Sequence, residues 1–392
     1  MTAPRAEGFA FRVLATDGAA RRAVLTTPHG DVDLPTFMPV GTQGSVKGLT
    51  PDEVASTGAR IVLGNTYHLW LRPGHERIRS QGGLHRFVRW PHAMLTDSGG
   101  FQAFSLAQAK KGGAALVAPD EDGFTFRSHL DGSKHHLSPE KAVEVQAAIG
   151  ADIQMQLDVC PPGDSPREVI ERAVRQTTRW AARALAAPRP ERQALFGIVQ
   201  GGTHVDLRRA HAAELGALEV GGRGFDGLAL GGFSVGEPVE RMHEALAEVT
   251  SALDPERPRY LMGVGTPQDL VRAIGQGVDM FDCVMPTRNA RNGQAFTRTG
   301  KVVIKQARWA DDPSPIDPEC PCACCAGGYS RAYLRHLFLA GEMLVLRLLS
   351  VHNLHFYGAI VAGARAAIER GGYAAWAAQT LRTMAAEAPP DP

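Results

Sequence analysis

The sequence predicts an α/β protein built on a (β/α)8 TIM barrel, with a zinc-binding subdomain near the C-terminus. Short apolar runs separated by single helices recur along the chain, and each run ends at an acidic, amide or glycine residue. Apolar runs without alternation are typical of parallel strands that are buried on both faces. About eight such units favour a closed barrel over an open doubly wound sheet, which remains the structural alternative.

The predicted strands are short, and a break residue follows each of them. They span 36–40, 60–63, 93–96, 151–157, 195–199, 227–230, 259–262 and 278–281. After the fourth strand, Ser165, Pro166 and Glu168 have the spacing of a capping box. We therefore expect Ser165 to be the N-cap of the helix that follows this strand.

The charges of the chain nearly cancel, because 42 lysines and arginines face 41 aspartates and glutamates in 392 residues. This balance excludes a uniformly basic nucleic-acid binder, so contact with a nucleic acid requires a local patch. The first residues lack a basic segment followed by an apolar run, and no run reaches the roughly 18 apolar residues of a membrane span. We expect a cytoplasmic protein without a membrane partner, divided into a catalytic barrel at 1–300, a zinc-binding subdomain at 301–352 and C-terminal helices at 353–392.

Polar groups follow the strands at the ends where barrels place their active sites. These groups are Asp97, Asp158, Gln200, Gly232 and Asp282. Three converging carboxylates repel one another unless one is protonated or they bind a ligand that donates hydrogen bonds, so they predict acid–base or covalent catalysis. A lone aspartate after a strand is more often a helix N-cap. That alternative fits Asp282 poorly, because the apolar segment 283–286 is expected to be extended.

Glycine-rich breaks accompany these side chains. Ser98, Gly99, Gly100 and Phe101 follow Asp97, and glycine pairs follow Gln200 and Leu230. Paired glycines let the backbone approach a ligand, and an aromatic ring offers a stacking face. Amide groups and bare backbone N–H groups at one mouth suit a ligand with carbonyl and amino edges, such as a purine-like base.

Four cysteines lie within positions 320–325, and such clustering indicates a metal rather than disulfides. Cys320, Cys322 and Cys325 have the spacing C-x-C-x-x-C, and His352 is the expected fourth ligand of one structural zinc ion per chain. A closed shell of four ligands leaves no open position, so the zinc is expected to stabilise the fold. The spacing leaves open Cys324 in place of Cys325, and His336 or His355 in place of His352.

A basic segment follows Asp282, since no acidic residue occurs before Asp311. Its basic residues are Arg288, Arg291, Arg298, Lys301, Lys305 and Arg308. An acid-free segment beside a candidate catalytic aspartate is suited to bind phosphates. The alternative is a solvated loop and hairpin with incidental charges.

Several long motifs resemble the bacterial tRNA-guanine transglycosylases, in the order that is typical of this family. They are TFMPVGTQGSVKGL at 36–49, LGNTYHLWLRPG at 63–74, LTDSGGFQAFSL at 95–106, MQLDVC at 155–160, GIVQGG at 197–202, LGGFSVGE at 230–237, YLMGVGTPQDL at 260–270, FDCVMPTRNARNG at 281–293 and CPCACC at 320–325. The resemblance covers nearly the whole chain. It implies a homodimeric pentosyltransferase of queuosine biosynthesis, which exchanges the wobble guanine of tRNAs with GUN anticodons for 7-aminomethyl-7-deazaguanine.

The resemblance also implies roles for single residues. Asp282 resembles the nucleophile that attacks the ribose and holds the tRNA covalently, and Asp97 resembles the general acid–base. The implied base-binding residues are Asp97, Ser98, Gly99, Gly100, Phe101, Asp158, Cys160, Gln200, Gly232 and Phe233. RNA binding is implied for Gly263, Val264, Gly265, Thr266, Pro267, Gln268 and Asp269, and for Thr287, Arg288, Asn289, Ala290 and Arg291.

Two details concern the incoming base. Cys160 and Val235 match the bacterial pattern, which favours the aminomethyl base over queuine. Phe233-Ser234 replaces the commoner Leu-Ala beside the base site, and the bulkier phenylalanine bears on the shape of the aminomethyl pocket.

Three other functions fit parts of the pattern. A non-catalytic tRNA-binding partner subunit would have lost its catalytic residues, whereas Asp97, Asp158 and Asp282 all occur here. An N-ribosyl hydrolase of free nucleosides would need no phosphate track, so salt-sensitive RNA binding distinguishes it. An archaeal-type enzyme usually carries additional RNA-binding domains, for which we expect no room in this chain.

Overall fold

The computed structural model describes residues 5–102 and 119–385. The strands are β1 (Ala10–Asp17), β2 (Ala20–Thr27), β3 (Gly30–Leu34), β4 (Thr36–Met38), β5 (Val40–Gly41), β6 (Ile61–Gly64), β7 (Ala93–Thr96), β8 (Phe124–Arg127), β9 (Lys134–Leu137), β10 (Ile153–Met155), β11 (Ala194–Val199), β12 (Gly227–Leu230), β13 (Arg259–Leu261), β14 (Met280–Asp282), β15 (Gln294–Thr297) and β16 (Gly300–Val303). The described helices are α1 (Pro51–Ser56), α2 (Thr66–Leu71), α3 (His75–Ser80), α4 (Leu84–Val88), α5 (Pro139–Ile149), α6 (Arg167–Ala186), α7 (Val205–Ala217), α8 (Val239–Thr250), α9 (Pro267–Gly275), α10 (Met285–Arg291), α11 (Arg331–Ala340), α12 (Met343–Glu369) and α13 (Tyr373–Ala385).

Nine parallel segments close into a barrel. They are hydrogen-bonded in the order β4, β14, β13, β12, β11, β10, β7, β6, β5. β4 and β5 are consecutive halves of one strand on either side of Pro39, and they pair with β14 and with β6. The sheet therefore closes on itself with eight strand positions, and the predicted (β/α)8 barrel is confirmed.

Side chains of the barrel strands alternate between two buried apolar layers. Ile61 and Met280 belong to the core inside the barrel, whereas Val62 and Phe281 belong to the core between strands and helices. Both faces of each strand are thus buried, and burial of apolar surface stabilises the fold by about 25 cal/mol per Å². This double burial explains why the strand sequences are apolar runs without alternation.

The antiparallel sheet β1–β3 closes one end of the barrel, and the sequence pattern did not predict it. Phe11, Leu25 and Val32 share the interior core with the barrel strands. Arg21 on β2 binds Asp279, which immediately precedes β14. The sheet therefore covers the N-terminal ends of the parallel strands, opposite the mouth that carries the predicted site.

A second core lies beyond the last barrel strand. Ala295, Val302 and Leu349 pack there with buried cysteines of the 320–325 cluster. Helix α12 is long and apolar enough to cross a membrane, but 67% of that apolar window is buried inside the protein, which is typical of a core helix. The division of the chain at residues 300 and 352 stays a prediction, and α12 runs continuously through residue 352.

Two local predictions are wrong. Helix α6 begins at Arg167 with Pro166 as N-cap and no side-chain cap, so Ser165 forms no capping box. The segment after Asp282 is not extended, because α10 begins at Met285. The Asn353 side chain of α12 donates to the Pro286 carbonyl at 2.9 Å, so tertiary packing overrides the local pattern. Residues 103–106 of the LTDSGGFQAFSL motif, and 386–392, lie outside the described residues.

Candidate active site

Asp97 follows β7 and is held by the residues that begin α2. Its Oδ1 accepts a hydrogen bond from the Thr66 N–H at 2.8 Å, and its Oδ2 accepts one from the Asn65 side-chain amide. Burial, together with the charges of Asp282 and Asp158, raises the pKa of Asp97 to about 7. At neutral pH this carboxyl is close to half protonated, so it can both give and take a proton.

Asp158 contacts two of the predicted base-site residues. Its Oδ2 accepts a hydrogen bond from Gln200 Nε2 at 2.7 Å, and its Oδ1 accepts a longer one from the Ser98 hydroxyl at 3.4 Å. The side chain of Gln200 is buried, and burial raises the pKa of Asp158 to about 6. The structure thus brings the segments after β7, β10 and β11 together, as the strand-end pattern predicted.

Asp282 is the last residue of β14. Its Oδ1 accepts hydrogen bonds from the Tyr260 hydroxyl at 2.6 Å and from the Gly263 N–H at 2.7 Å. Burial raises the pKa of Asp282, and burial and the adjacent Asp282 raise the pKa of Tyr260, so that the phenol keeps its proton. Both hydrogen bonds from the described residues are accepted by Oδ1, so Oδ2 is available to react with a ligand.

The three aspartates share one electrostatic condition. Within the described part of the chain, their hydrogen-bond donors are amides, hydroxyls and backbone N–H groups, all of them neutral. Carboxylates that are buried or partly buried without a cationic partner are costly to ionise, which explains why all three pKa values are raised. Such clusters are suited to proton transfer and to recognition of N–H groups.

A buried arginine supports the glycine pair of the base site. Arg208 on α7 is fully buried, and its guanidinium donates to the carbonyls of Gly231 at 2.8 Å and Gly232 at 3.2 Å. It lies 3.5 Å from the centre of the Phe233 ring. Gly232 has a φ of +66°, and a Cβ there would lie 2.3 Å from Gln200 Oε1. Glycine is therefore required where the backbone turns past the glutamine.

Two predicted base-site side chains differ in accessibility. Burial raises the pKa of the Cys160 thiol to about 12, so this sulfur is neutral at physiological pH. Phe101 is 48% exposed, which leaves its ring available for stacking. Gly99 has a φ of +79°, and a Cβ there would approach the Tyr67 nitrogen to 3.2 Å. Close packing against α2 thus shapes the Ser98–Phe101 turn.

The first predicted RNA-binding run starts at the nucleophile candidate and then enters α9. Gly263 is exposed and donates to Asp282, whereas Val264 and Asp269 are buried. The Asp269 carboxylate lies 3.0 Å from His243 Nε2, so it is occupied within the protein. In the second run Thr287 and Ala290 are buried and Arg288 is exposed. Only part of each run is therefore accessible to a ligand.

The basic segment after Asp282 contains an arginine that pairs with acidic side chains. Arg298 forms ion pairs with Asp317 at 3.0 Å and with Glu319, so its guanidinium is already engaged within the protein. Acidic residues more distant in sequence fold back on the basic segment, which the linear pattern could not show. Arg288, Lys301 and Lys305 remain exposed.

Three cysteines and one histidine form a cluster in the second core. The ligand atoms of Cys320, Cys322, Cys325 and His352 all lie within 4.8 Å of one another. His352 Nδ1 is 3.5 Å from the Cys322 sulfur and 3.3 Å from the Cys325 sulfur. His352 Nε2 lies 2.8 Å from the Phe296 carbonyl, which can only accept, so Nδ1 offers its lone pair to the sulfurs. This donor set suits a metal ion, and Cys324 is outside it.

Sequence reasoning missed four residues that hold the site. Tyr260 points inward next to Asp282, and the alternation of β13 and β14 could have identified it. Asn65 and Thr66 follow β6 and obey the same strand-end rule as the aspartates. Arg208 lies on a helix in an unremarkable sequence, and no local signal marks it.

Comparisons with known proteins agree with this geometry. The family model of queuine tRNA-ribosyltransferases matches residues 17–386. Queuine tRNA-ribosyltransferases from Sorangium cellulosum, Pelotomaculum thermopropionicum and Solidesulfovibrio magneticus are 69%, 53% and 52% identical to the chain. The alignments cover 95%, 90% and 93% of this chain and 91%, 92% and 94% of the respective relatives. The match extends from the last residue of β1 through α13, and the chain therefore belongs to the queuine tRNA-ribosyltransferase family.

Proposed function

We propose that this protein exchanges the wobble guanine of tRNAs with GUN anticodons for 7-aminomethyl-7-deazaguanine through a covalent aspartyl-ribose intermediate. The observation that carries the proposal is the convergence of Asp97, Asp158 and Asp282 at one barrel mouth, each held by neutral donors. Family membership and the full-length similarity to relatives named queuine tRNA-ribosyltransferase support the same reaction.

Asp282 is the proposed nucleophile. Tyr260 and Gly263 orient it through Oδ1, so Oδ2 attacks C1′ of the wobble ribose while the bond between C1′ and guanine N9 breaks. An aspartyl ester of the ribose forms, and guanine leaves with the electron pair of the broken bond. A carboxylate nucleophile replaces one difficult substitution by two easier ones, and net retention at C1′ follows.

Asp97 is the proposed proton carrier. Its pKa of about 7 allows it to donate a proton to the departing guanine and to take one from N9 of the incoming base. The two transfers cancel over a cycle, so the reaction needs no external acid or base. Asn65 and Thr66 fix the carboxyl while its protonation state changes.

Asp158, Gln200 and the Gly232 N–H form the proposed base-recognition edge. An ionised Asp158 accepts hydrogen bonds from the ring N–H and exocyclic amino group, and the amide donors bind the carbonyl. The Arg208 guanidinium stabilises this edge by donating a hydrogen bond to the Gly231 carbonyl, and it packs on the Phe233 ring. Cys160 and Phe233 complete the pocket wall, and Phe101 stacks on the base.

The proposal is tested by incorporation of labelled guanine into an unmodified transcript with a GUN anticodon. We expect label in this transcript and none in one whose wobble guanine is replaced. Unlabelled 7-aminomethyl-7-deazaguanine should chase the label irreversibly and more efficiently than queuine. Release of free guanine without incorporation would favour a hydrolase, and RNA binding without exchange would favour a non-catalytic subunit.

We also propose that Cys320, Cys322, Cys325 and His352 hold one structural zinc ion. Three thiolates and one imidazole form a closed tetrahedral set, which is typical of zinc that stabilises a fold. Metal analysis should find about one zinc per chain, and Cys320→Ser should lose both the metal and stable folding. Ala323→Ser, in the same loop, is the matched control. Native protein without metal would contradict the assignment.

A homodimer is the proposed assembly, acting in the cytoplasm on one tRNA. Its support is an exposed apolar surface on α11 and α12 that comprises Tyr333, Leu339, Met343 and Leu344. Met343 is 81% exposed, which is costly for a surface that stays in water. Sedimentation should give a dimer, and Met343→Glu should shift it toward monomer. A monomeric native protein would contradict this part of the proposal.

A further inference from the structure

At the barrel end opposite the active site, three chain segments bring two histidines to one buried aspartate. His29 lies in the turn between β2 and β3, His85 on α4, and Asp152 immediately before β10. His29 Nδ1 is 2.6 Å from Asp152 Oδ1, and His85 Nε2 is 3.1 Å from Asp152 Oδ2. One nitrogen of each ring and a carboxylate oxygen all lie within 4.8 Å of one another.

The cluster has the features of a ligand set rather than a chance contact. Asp152 is 2% exposed and is oriented by the Met94 N–H, which donates to Oδ2 at 2.8 Å. The two imidazole rings lie face to face, with centroids 3.5 Å apart and planes 11° apart. Each ring also presents one nitrogen to the same Asp152 carboxylate.

Access from solvent is also present. The His29 side chain is 39% exposed and that of His85 is 10% exposed, whereas the Asp152 side chain is almost fully buried. A metal ion can therefore enter from the His29 side and meet a preoriented carboxylate. Two imidazoles and one carboxylate suit zinc and neighbouring divalent transition metals, with water in the remaining positions.

We propose that His29, His85 and Asp152 form a second divalent transition-metal site, separate from the cysteine cluster. The ligands are distant in sequence, since 123 residues separate His29 from Asp152. A bound ion would join the hairpin between β2 and β3 to α4 and to the start of β10. Its effect would be to fasten the sheet that closes the bottom of the barrel, and the proposed transferase reaction does not depend on it.

The test uses full-length protein whose cysteine cluster is already loaded with zinc. Zn²⁺ is titrated by calorimetry into the native chain, His29→Ala, His85→Ala and the control His136→Ala, which removes an exposed histidine elsewhere. We expect a second equivalent in the native and control proteins, and affinity lower by at least about tenfold in the other two variants. Failure of the native protein to bind zinc beyond the preloaded equivalent, or an unchanged second equivalent in both cluster variants, would overturn the proposal.

Two further readouts separate a metal site from a hydrogen-bonded clamp. Excess Zn²⁺ should raise the melting temperature of the native protein and of His136→Ala, but not that of His29→Ala. Co²⁺ added to the zinc-loaded native protein should give weak visible bands without thiolate charge-transfer absorption. If His29→Ala lowers the melting temperature equally with and without Zn²⁺, the cluster is only a clamp and the metal site is refuted.

Discussion

Asp279 at one end of the barrel is held differently from Asp97 and Asp282 at the other end. At the N-terminal end, Asp279 accepts hydrogen bonds from the Arg21 guanidinium and from the Arg259 N–H at 2.7 Å. At the C-terminal mouth, Asp97 and Asp282 accept hydrogen bonds from neutral groups only, among the described residues. Burial raises the pKa of Asp279 as well, but the Arg21 charge opposes that shift.

The difference separates a stabilising carboxylate from the two that we propose to be reactive. A cation beside a buried carboxylate lowers the cost of its charge and fixes it in the ionised state. Neutral donors fix the position of a carboxylate but leave its proton affinity high. The Arg21–Asp279 pair therefore stabilises the closed end of the barrel, whereas the carboxylates at the open end are suited to exchange protons or form bonds.

The largest expected effect is the loss of chemistry in Asp282→Asn. This variant should bind tRNA normally but lose base exchange by about 10⁴-fold or more, because an amide oxygen is a poor nucleophile. Exchange of labelled guanine and trapping of the covalent adduct on denaturing gels measure both effects. Asp31→Asn, at an exposed aspartate of β3, is the control. Near-normal turnover by Asp282→Asn would remove the nucleophile assignment.

The opposite pattern is expected for Asp279→Asn. Breaking the buried pair with Arg21 should lower the free energy of unfolding by about 3–5 kcal/mol, while each folded molecule keeps its exchange activity. Urea unfolding and activity per folded protein provide the measurements. Asp33→Asn, which breaks an exposed pair with Arg22, should cost at most about 1 kcal/mol. Activity lost without destabilisation would contradict the division between the two ends.

Asp97→Asn should stabilise the protein at high pH. The native carboxyl keeps its proton up to about pH 7, whereas the unfolded one releases it near its ordinary pKa of 3.8. Folding therefore becomes less favourable as pH rises between these values, with an upper bound of about 4 kcal/mol above pH 7. The variant should gain part of this energy at pH 8 and none at pH 4, although Asn65 and Thr66 lose a charged acceptor. Equal destabilisation at both pH values would argue against a raised pKa of Asp97 in the folded protein.

The smallest expected effect is a fall of kcat/KM on the acid side of its pH profile. Asp158 must be ionised to accept hydrogen bonds from the base, and its pKa is about 6. Below that pH, kcat/KM for the base should fall roughly tenfold per pH unit. Asp158→Asn should have lower activity overall and lack this fall. A fall at the same pH in Asp158→Asn would assign it to another group.

The barrel was predictable because each of its strands is buried on both faces. Such a strand is an apolar run, which can be identified from the local sequence alone. Sheet β1–β3 was not predicted, because its strands lack the continuous apolar runs of the barrel strands. Its position also depends on contacts between distant residues, such as Arg21 and Asp279, which are 258 residues apart. Helix α10 was also missed, because its helical conformation depends on contacts with α12 and not on a local sequence pattern. The strand-end rule found the aspartates and Gln200, but Arg208 reaches the site from a helix.

Closure of the barrel between its first and last strands has a consequence for biosynthesis. Asp282 pairs in register with Met38, so the nucleophile candidate occupies the strand that completes the ring. A ribosome makes the other strands first, and a partial chain has no closed mouth. An unfinished protein therefore lacks the mouth at which the three aspartates meet, so the proposed attack on RNA requires the complete ring.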